Sequence, residues 1–469
     1  MQEEIVKPNL TNFIKSLRDV GYNFQIALAD IIDNSIAASA KNILIDAEVK
    51  PELKLSVFDD GLGMSEKELI EAMRLGSKDP DDERAKKDLG RFGLGLKTAS
   101  FSQCKRLTVA TKKKGQINAR TWDLDIIEKE NEWYLQRPSI KELESNPLFS
   151  KLEQQKSGTL VIWEKIDGIN SNDYLEEIEL LREHLSLVFH RFLEGSLKGQ
   201  KILLSVNNNQ LIPFNPFNEK NNATQVLPEQ IIKFSNKKII VTPYILPHHS
   251  KLSNIEFQKF ATAEGYTKSQ GFYLYRAGRL LIHGTWWGLN KISDAHRLVR
   301  IKVDITNDQD DFWNIDVKKS IANPNQIIKN ELKKIMNQVL SRGEKTYTKR
   351  GTKIQDKTIV PFWQVYHENN VIRFELNQEH PILSKLQTLI DDKSHSILNA
   401  YLKGLEAYIP LAAIQAHMIT EPHKIKQLEL VADQERNDFL KNILELDLTP
   451  EEIDELMKTE LFKKFQEMK

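Results

Sequence analysis

Asp30 and Asn34, in the apolar segment ALADIIDNSI, are residue types whose spacing could support chemistry. Because they are four positions apart, a helix would place both side chains on one face. The carboxylate could hold a water molecule there, and the amide oxygen is a ligand of the kind that Mg²⁺ accepts. Alone, the pair is also compatible with polar residues that cap or decorate a helix, so its meaning depends on the neighbouring motifs.

Asp59 opens a second candidate segment, DDGLGM, directly after a predicted strand. A buried carboxylate at a strand end can accept a hydrogen bond from an exocyclic amine such as that of adenine. Gly61 and Gly63 would let the backbone approach the base, and Met64 ends the segment. The same pattern is compatible with an ordinary tight turn, so it is informative only in combination.

A glycine-rich segment opens a later predicted helix. It comprises Gly90, Arg91, Phe92, Gly93, Leu94, Gly95, Leu96 and Lys97. The glycines would leave backbone amides free to hold phosphates at the helix start, where the helix dipole favours anions and Lys97 adds a charge. A Walker loop would need Lys directly after Gly95, and Leu96 intervenes. The three segments in this order, with Gly158 and Thr159 heading a later strand, predict nucleotide binding without a Walker loop.

The composition sets the broad class of protein. The chain has 469 residues, with 66 Lys and Arg against 66 Asp and Glu, which is typical of a globular protein of about three domains. Nucleic-acid binding would therefore depend on local patches. The single cysteine, Cys104, excludes internal disulfides, and we expect it to be buried. The start MQEEIVKPNL lacks a signal-peptide pattern and no apolar stretch approaches about 18 residues, so we expect a cytoplasmic, membrane-free protein.

Hydrophobic periodicity positions the three segments in a first domain, predicted over residues 1–168. Two helices are predicted within 11–40, separated at Gly21, and a further helix is capped by Ser65 with Glu68. Strands are predicted at 43–47, 53–58, 107–111, 117–125 and 159–163. The alternation of these elements predicts an α/β sandwich.

Three further regions follow the first domain. A second α+β domain is predicted over 169–342, with strands at 202–206, 239–246, 271–282 and 299–305. Residues 343–358 are predicted to form a basic linker, because six Lys or Arg stand against two Asp or Glu in 341–358. Residues 359–469 are predicted to form a mainly helical domain that opens with a hairpin turned at Asn369-Asn370. Its last helix is predicted to start at Thr449-Pro450.

The segments ALADIIDNSI, FDDGLGM and LGRFGLGLKTAS resemble the N, G1 and G2 boxes of the GHKL ATPase superfamily. This superfamily includes DNA gyrase B, the mismatch-repair protein MutL, heat-shock chaperones, histidine kinases and MORC proteins, and the sequence most resembles the bacterial MORC-like branch. The resemblance covers residues 10 to 340 approximately. It implies an N-terminal Bergerat-type α/β sandwich followed by a ribosomal-S5-like α+β transducer domain.

The resemblance also implies roles for individual residues. Asp30 stands at the position of the general base, and Asn34 at that of the magnesium ligand. Asp59 stands at the adenine contact, with Thr159 beside it. Residues 90–97 correspond to the phosphate loop and lid. The implied ligands are ATP and Mg²⁺.

Two departures from the family pattern affect these expectations. The general base is usually Glu, and the shorter Asp30 would hold water about one methylene further from the γ-phosphate, so we expect slow turnover. The acidic residue that often follows Asn by three places is Ala37 here. In the transducer of the family a lysine senses the γ-phosphate, and both Lys318 and Lys319 fit that position.

The sequence therefore predicts an ATPase that acts as a conformational switch and forms a nucleotide-dependent homodimer. Residues 77–120 hold twelve Lys or Arg against five Asp or Glu, which favours either a solvated turn or contact with DNA. The resemblance suggests DNA as the partner, within an antiphage defence or restriction-like system that supplies protein partners. The alternatives are a chaperone-like protein remodeller and a pseudo-ATPase scaffold. A histidine kinase is not favoured, because its ATP domain follows a phosphoacceptor helix.

Overall fold

The computed structural model describes residues 9–19, 21–49, 52–76, 95–170, 173–197, 199–262, 265–316, 318–348, 359–368, 371–446 and 448–462. They divide into two compact units. The first comprises the described residues up to Pro247 together with Phe260–Gly343, and the second comprises His248–Lys259 and the described residues from Glu344 onward. The predicted α+β fold class is confirmed, with an N-terminal region of sheet and helices and a mainly helical C-terminal region.

The first sheet carries Asp59 at the end of one strand and Gly158 and Thr159 at the start of another. Its strands are β1 (Asn42–Glu48), β2 (Lys54–Asp59), β3 (Cys104–Lys113), β4 (Gln116–Asp123), β5 (Gly158–Ile166), β6 (Leu203–Val206) and β7 (Asn209–Gln210). Within the described residues their order is β4-β3-β5-β2-β1-β6-β7. All neighbours are antiparallel except β1 and β6, which are parallel. The sheet therefore continues past residue 168 into the predicted second domain.

Helices cover both faces of this sheet. They are α1 (Leu10–Arg18), α2 (Phe24–Ala37), α3 (Glu66–Met73), α4 (Gly95–Gln103), α5 (Leu124–Glu130), α6 (Ile140–Glu144), α7 (Phe149–Gln154), α8 (Tyr174–Val188) and α9 (His190–Glu194). Side chains alternate along a strand, so Val57 packs in the core that includes α2 and α8. Its neighbour Phe58 packs in a second core with α7. The predicted α/β layers are thus present.

A second sheet lies in the same unit. Its strands are β8 (Gln225–Val226), β9 (Gln230–Phe234), β10 (Lys237–Ile245), β11 (Gly271–Arg276), β12 (Arg279–Thr285) and β13 (Val299–Ile305). Their order in the described residues is β12-β11-β13-β10-β8, and β9 also pairs with β10. The prediction of one strand over 271–282 is wrong, because Ala277 and Gly278 turn the chain with φ of 48° and 91°. This turn makes a hairpin of β11 and β12.

The helices between and after these strands are α10 (Asn254–Ala261), α11 (Gly265–Lys268) and α12 (Gln326–Thr348), with short 3₁₀ helices at His249–Lys251, Asp294–His296 and Asn307–Trp313. Of these, His249–Lys251 and most of α10 belong to the second unit. Helix α12 continues through Thr348, so the first residues of the predicted linker 343–358 are helical. Residues 349–358 lie outside the described residues. The domain boundaries near 168 and 342 stay predictions.

The second unit contains the predicted hairpin and helices. The strands are β14 (Trp363–Glu368) and β15 (Val371–Leu376), and the predicted turn at Asn369-Asn370 lies outside the described residues. The helices are α13 (Pro381–Leu389), α14 (Asp392–Ala407), α15 (Leu411–Thr420), α16 (Asp433–Leu444) and α17 (Pro450–Met457), with 3₁₀ helices at Pro422–Lys424 and Gln427–Leu430. Helix α17 starts at Thr449-Pro450 as predicted, and Thr449 forms a capping box with Glu452. In the described part of the chain, no helix is long and apolar enough to cross a membrane.

Candidate functional site

Helix α2 positions the first candidate residues. Its amino end is capped by Asn23, whose side-chain oxygen accepts a hydrogen bond from the Ile26 amide at 2.8 Å. The helix is apolar and mostly buried, and the carboxylate of Asp30 is only 2% exposed. Asn34, one turn later, is exposed. The helix therefore holds Asp30 in a buried position and presents Asn34 at the surface.

The carboxylate of Asp30 has a partner on each oxygen. The Tyr22 hydroxyl donates a hydrogen bond to Oδ2 at 2.9 Å. Burial and the nearby Asp30 raise the pKa of Tyr22, so the phenol stays a neutral donor. The ammonium of Lys319 donates to Oδ1 at 3.1 Å. Asp30 is thus held in one orientation by a neutral group and by a charged one.

Four charged side chains form a buried cluster around Asp30. They are Asp30, Asp33, Arg279 and Lys319, which are 2%, 1%, 4% and 8% exposed. Oδ2 of Asp33 lies 2.6 Å from Nζ of Lys319 and 2.8 Å from Nη1 of Arg279. The same Nη1 lies 3.5 Å from Oδ1 of Asp30. Two carboxylates face two cations, so the charges of the cluster balance, as buried ions require.

The loop after β13 and its 3₁₀ helix brings Lys319 to this cluster. The carboxylate of Asp316 accepts hydrogen bonds from the Ser320 and Ile321 amides at 2.7 and 2.8 Å, which closes a tight turn. Lys319 itself has a left-handed backbone with φ of 55°. Lys318 points elsewhere, because its ammonium donates to the Gly21 carbonyl at 3.3 Å. Of the two candidate lysines, only Lys319 contacts Asp30 among the interactions of the described residues.

Asp59 ends β2 in a buried, polar position. The Ser35 hydroxyl donates to Oδ2 and the Gly61 amide donates to Oδ1, both at 2.9 Å. Thr159 is its partner in the β2–β5 register. Burial raises the pKa of Asp59 to about 6, although the Gly61 and Ser35 hydrogen bonds act in the opposite direction. Since Ser35 belongs to α2, this hydrogen bond links the second segment to the first.

The glycines of the second segment are required by close packing. A Cβ on Gly61 would lie 2.8 Å from Oδ1 of Asp59, and one on Gly63 would lie 2.0 Å from the Lys112 carbonyl oxygen. Gly63 also has φ of 63°. The Met64 amide then donates to the Thr111 hydroxyl at 2.8 Å, which fixes the turn against β3.

The third segment is described from Gly95 onward, where α4 begins. Gly90, Arg91, Phe92, Gly93 and Leu94 lie outside the described residues. A Cβ on Gly95 would lie 3.6 Å from Oδ2 of Asp30, so the start of α4 is adjacent to that carboxylate. Leu96 is partly buried against the first core. Lys97 is buried, and its ammonium donates to the Ala72 carbonyl at 2.9 Å.

The described residues offer few ligands for a metal ion. They contain no group of three or more His, Cys, Asp or Glu side chains that could hold one. Asn34 offers an exposed amide oxygen one helical turn from Asp30. Mg²⁺ prefers oxygen ligands, keeps several waters and binds substrate phosphates, so a single protein oxygen fits this ion.

Several residues of the site carry no recognisable signal in the sequence. Tyr22 and Ser35 are ordinary polar residues whose partners become visible only in the structure. Asp33 stands in the first segment and Arg279 in the β11–β12 hairpin, but their contact joins distant parts of the chain. Cys104, expected to be buried, is fully buried, and its burial raises the pKa of the thiol.

Residues 22–159 match the family of histidine kinase-, DNA gyrase B- and HSP90-like ATPases. The chain is also 34% identical over 109 residues to the ATPase morc-1 of Caenorhabditis elegans. That alignment covers 23% of this chain and 12% of the relative, so this chain spans only a small part of the relative's length. The match to residues 22–159 extends from Tyr22 through Asp30 and Asp59 to Thr159. Residues 22–159 are therefore similar to a GHKL-type ATPase domain, and part of the chain is similar to a MORC ATPase.

Proposed function

We propose that this chain is a Mg²⁺-dependent conformational switch that binds and hydrolyses ATP. The observation that carries the proposal is the 3.1 Å contact between Lys319 and Asp30. It connects the ATPase-family region to a loop that follows the second sheet. A change at the nucleotide can therefore be transmitted towards the second sheet through this contact and the ion pairs beside it.

Asp59 is proposed as the acceptor for the adenine amine. It has the burial and the fixed orientation that such a contact needs, and Thr159 lies beside it on the neighbouring strand. Gly61, Gly63 and Met64 form the turn that shapes this end of the site. Residues 90–97 are proposed to hold the phosphates, with Gly95, Leu96 and Lys97 in the first turn of α4.

Asp30 is proposed to orient the attacking water. Positioning of the nucleophile contributes much of the catalysis in phosphoryl transfer, so a carboxylate fixed by Tyr22 is suited to the task. The Asp side chain is shorter than the usual Glu and would hold the water further from the γ-phosphate, so we propose that turnover is slow. Asn34 would hold Mg²⁺ together with phosphate oxygens and waters, and the ion would neutralise charge on the phosphates when it is bound.

Lys319, rather than Lys318, is proposed as the sensor of the γ-phosphate. Its ammonium already lies beside Asp30 in a buried site, whereas Lys318 contacts the Gly21 carbonyl. A lysine shared between carboxylates and phosphate would couple the nucleotide state to the loop that carries it. We further propose that nucleotide binding drives formation of a homodimer and that hydrolysis reopens it.

DNA is the proposed partner, within a cytoplasmic antiphage or restriction-like system that includes other proteins. The similarity to a MORC ATPase and the local excess of Lys and Arg in 77–120 support this partner. A protein remodeller is the second candidate. It is favoured by helix α14, which exposes the apolar side chains of Ile397 and Tyr401 to solvent.

The proposal is tested by phosphate release from purified protein. We expect hydrolysis that requires both ATP and Mg²⁺ and that stops when a chelator removes the ion. Electrophoretic mobility of duplex DNA over a range of salt concentrations then separates the two candidate partners. Wild-type protein that binds ATP without releasing phosphate would favour the pseudo-ATPase scaffold. No DNA binding at any of the salt concentrations would favour the protein remodeller.

A further inference from the structure

We propose that Asp33 and Arg279 form a dock for Lys319, which holds this lysine against Asp30 and allows it to leave. The dock comprises the two side chains of Asp33 and Arg279. This inference rests on the proposed ATPase function and deepens it, since it assigns a regulatory role to two residues outside the expected set. Both are positioning residues, because in this proposal they act on the nucleotide through Lys319 and Asp30.

The geometry of Asp33 is the first observation. Its Oδ2 is shared by two cations, with Nζ of Lys319 at 2.6 Å and Nη1 of Arg279 at 2.8 Å. Its Oδ1 is buried and has no hydrogen-bond partner within the described residues. Asp33 is therefore a buried carboxylate that depends on the two cations for its stabilisation. Burial raises its pKa, and the charges of Arg279 and Lys319 act against that rise.

The fixed position of Arg279 is the second observation. This residue begins β12, and its guanidinium lies 5.8 Å from the centre of the Phe189 ring, a cation–π distance. Burial and the neighbouring Arg279 lower the pKa of His184 to about 3, so this histidine is neutral and adds no charge to the dock. Arg279 is thus a permanent cation in the cluster, on a strand rather than in a loop.

These positions make Lys319 replaceable in the cluster. If Lys319 leaves for a phosphate, Arg279 still lies against Asp33 and within 3.5 Å of Asp30. Asp33 then keeps one counter-charge, whereas without Arg279 it would be a buried carboxylate with none. Loss of the last partner of a buried charge is strongly unfavourable. Arg279 should therefore lower the barrier to release of Lys319.

The test compares Arg279→Gln, Asp33→Asn and the double variant with wild-type protein. In Arg279→Gln, Lys319 becomes the sole cation of Asp33, so we expect kcat at saturating ATP to fall about tenfold while ADP affinity changes less than about twofold. The double variant removes the carboxylate that retains the lysine, so we expect it to recover most of the lost kcat. Arg279→Lys keeps the positive charge but not the planar guanidinium, so its kcat should fall less than that of Arg279→Gln.

Arg276→Gln is the matched control for a merely structural effect. Arg276 lies on β11 in the same hairpin and forms a buried ion pair with Asp310 at 2.7 and 2.8 Å. This variant should lower the melting temperature without a change in kcat per folded molecule. Equal kcat values for Arg279→Gln and Arg276→Gln would contradict the proposed role of the dock. A double variant with a kcat as low as that of Arg279→Gln would also contradict it.

A second measurement does not depend on ATP hydrolysis. The rate at which acetic anhydride modifies Lys319, followed by mass spectrometry, reports how often its ammonium leaves the cluster. We expect a slower rate in Arg279→Gln and, because charge is retained, a rate closer to wild type in Arg279→Lys. Unchanged labelling in both would overturn the dock. Wild-type protein that neither binds ADP nor releases phosphate would instead overturn the proposed function, and the labelling comparison would still decide on the dock.

Discussion

The ammonium group of Lys319 lies 3.1 Å from Oδ1 of Asp30, although the two residues are 289 positions apart in the sequence. The contact joins α2, which belongs to the first sheet region, to the turn closed by Asp316. An oxygen that accepts a hydrogen bond from an ammonium is less able to accept one from a water molecule. The position of Lys319 therefore bears directly on what Asp30 can do.

Replacement of Lys319 by Ala is expected to reduce turnover about tenfold or more, equivalent to about 1.4 kcal/mol or more of transition-state stabilisation. ADP binding should change little, because the proposed lysine contact forms with the γ-phosphate. Lys318→Ala is the matched control, since that lysine contacts only the Gly21 carbonyl among the hydrogen bonds of the described residues. Steady-state phosphate release and calorimetric titration with ADP measure the two effects. If Lys318→Ala were as slow as Lys319→Ala, the assignment of the sensing role to Lys319 would be wrong.

Replacement of Asp30 by Ala is expected to leave nucleotide binding intact and to abolish hydrolysis. A group that orients water affects the transition state more than the ground state. The variant should therefore accumulate as an ATP-bound dimer, which light scattering after addition of ATP and Mg²⁺ would detect. Tyr22→Phe keeps the ring and removes the hydrogen bond to Oδ2, so a smaller loss of turnover is expected. Turnover of Asp30→Ala equal to wild type would favour the scaffold function.

Asp59→Asn is expected to abolish ATP binding in a calorimetric titration. The change replaces a carboxylate acceptor by a group whose amide can face the adenine amine as a donor. The neighbouring Asp60→Asn serves as the control, because the Asp60 carboxylate accepts hydrogen bonds from the Lys41 and Asn42 amides instead. Wild-type affinity in Asp59→Asn would remove Asp59 from the site.

The affinity for ADP is expected to fall as the pH decreases through about 6. Burial places the pKa of Asp59 at about 6, so the acceptor is ionised above this pH and protonated below it. Ser35→Ala removes a hydrogen bond that lowers this pKa, and the fall should then begin at higher pH. Calorimetric titrations with ADP from pH 5 to 8 compare wild-type protein with Ser35→Ala. Since the ADP phosphates titrate in the same way in both experiments, a difference between the two profiles comes from the protein. Identical profiles would show that Asp59 does not control the affinity.

DNA binding, if it uses the hairpin tip between β3 and β4, should depend on Lys114. This lysine is exposed, whereas Lys112 donates to the Glu153 carbonyl and Lys113 pairs with Glu68. Lys114→Glu is expected to reduce the slope of log K against log salt by about 1. Lys129→Glu changes an exposed lysine outside 77–120 and should leave the slope unchanged. Equal slopes for Lys114→Glu and wild type would place the DNA contact elsewhere.

Local patterns in the sequence predict local structure well. Ser65 and Glu68 form the predicted capping box at α3, and Thr449 caps α17, because a cap depends on residues within one helical turn. The hairpin of β11 and β12 was less predictable. Its turn begins with Ala277, a residue that rarely adopts a positive φ, so the apolar run around it is typical of one strand.

The buried charge cluster could be predicted only in part. The resemblance assigns a role to Asp30 and leaves Lys318 and Lys319 equivalent, because adjacent residues differ only in the direction that the turn gives them. The left-handed backbone of Lys319 decides that direction. The contact of Arg279 with Asp33 joins β12 to α2, which are distant in the sequence, and no local spacing encodes such a contact. Similarly, α12 continues to Thr348 through Gly343 and two threonines, which have low helix propensity, so local propensity does not predict this extension.

The parallel pairing of β1 with β6 has a consequence for how the chain is synthesised and dissected. Residues Asn42 to Ile45 of β1 pair with Leu203 to Val206 of β6, so β1 leaves the ribosome long before β6 is synthesised. Such a distant pairing closes slowly. A fragment that ends at residue 168 would expose an unpaired edge of β1, which is a template for aggregation. A well-behaved ATP-binding fragment should therefore extend at least to Gln210, where β7 completes the edge of the sheet.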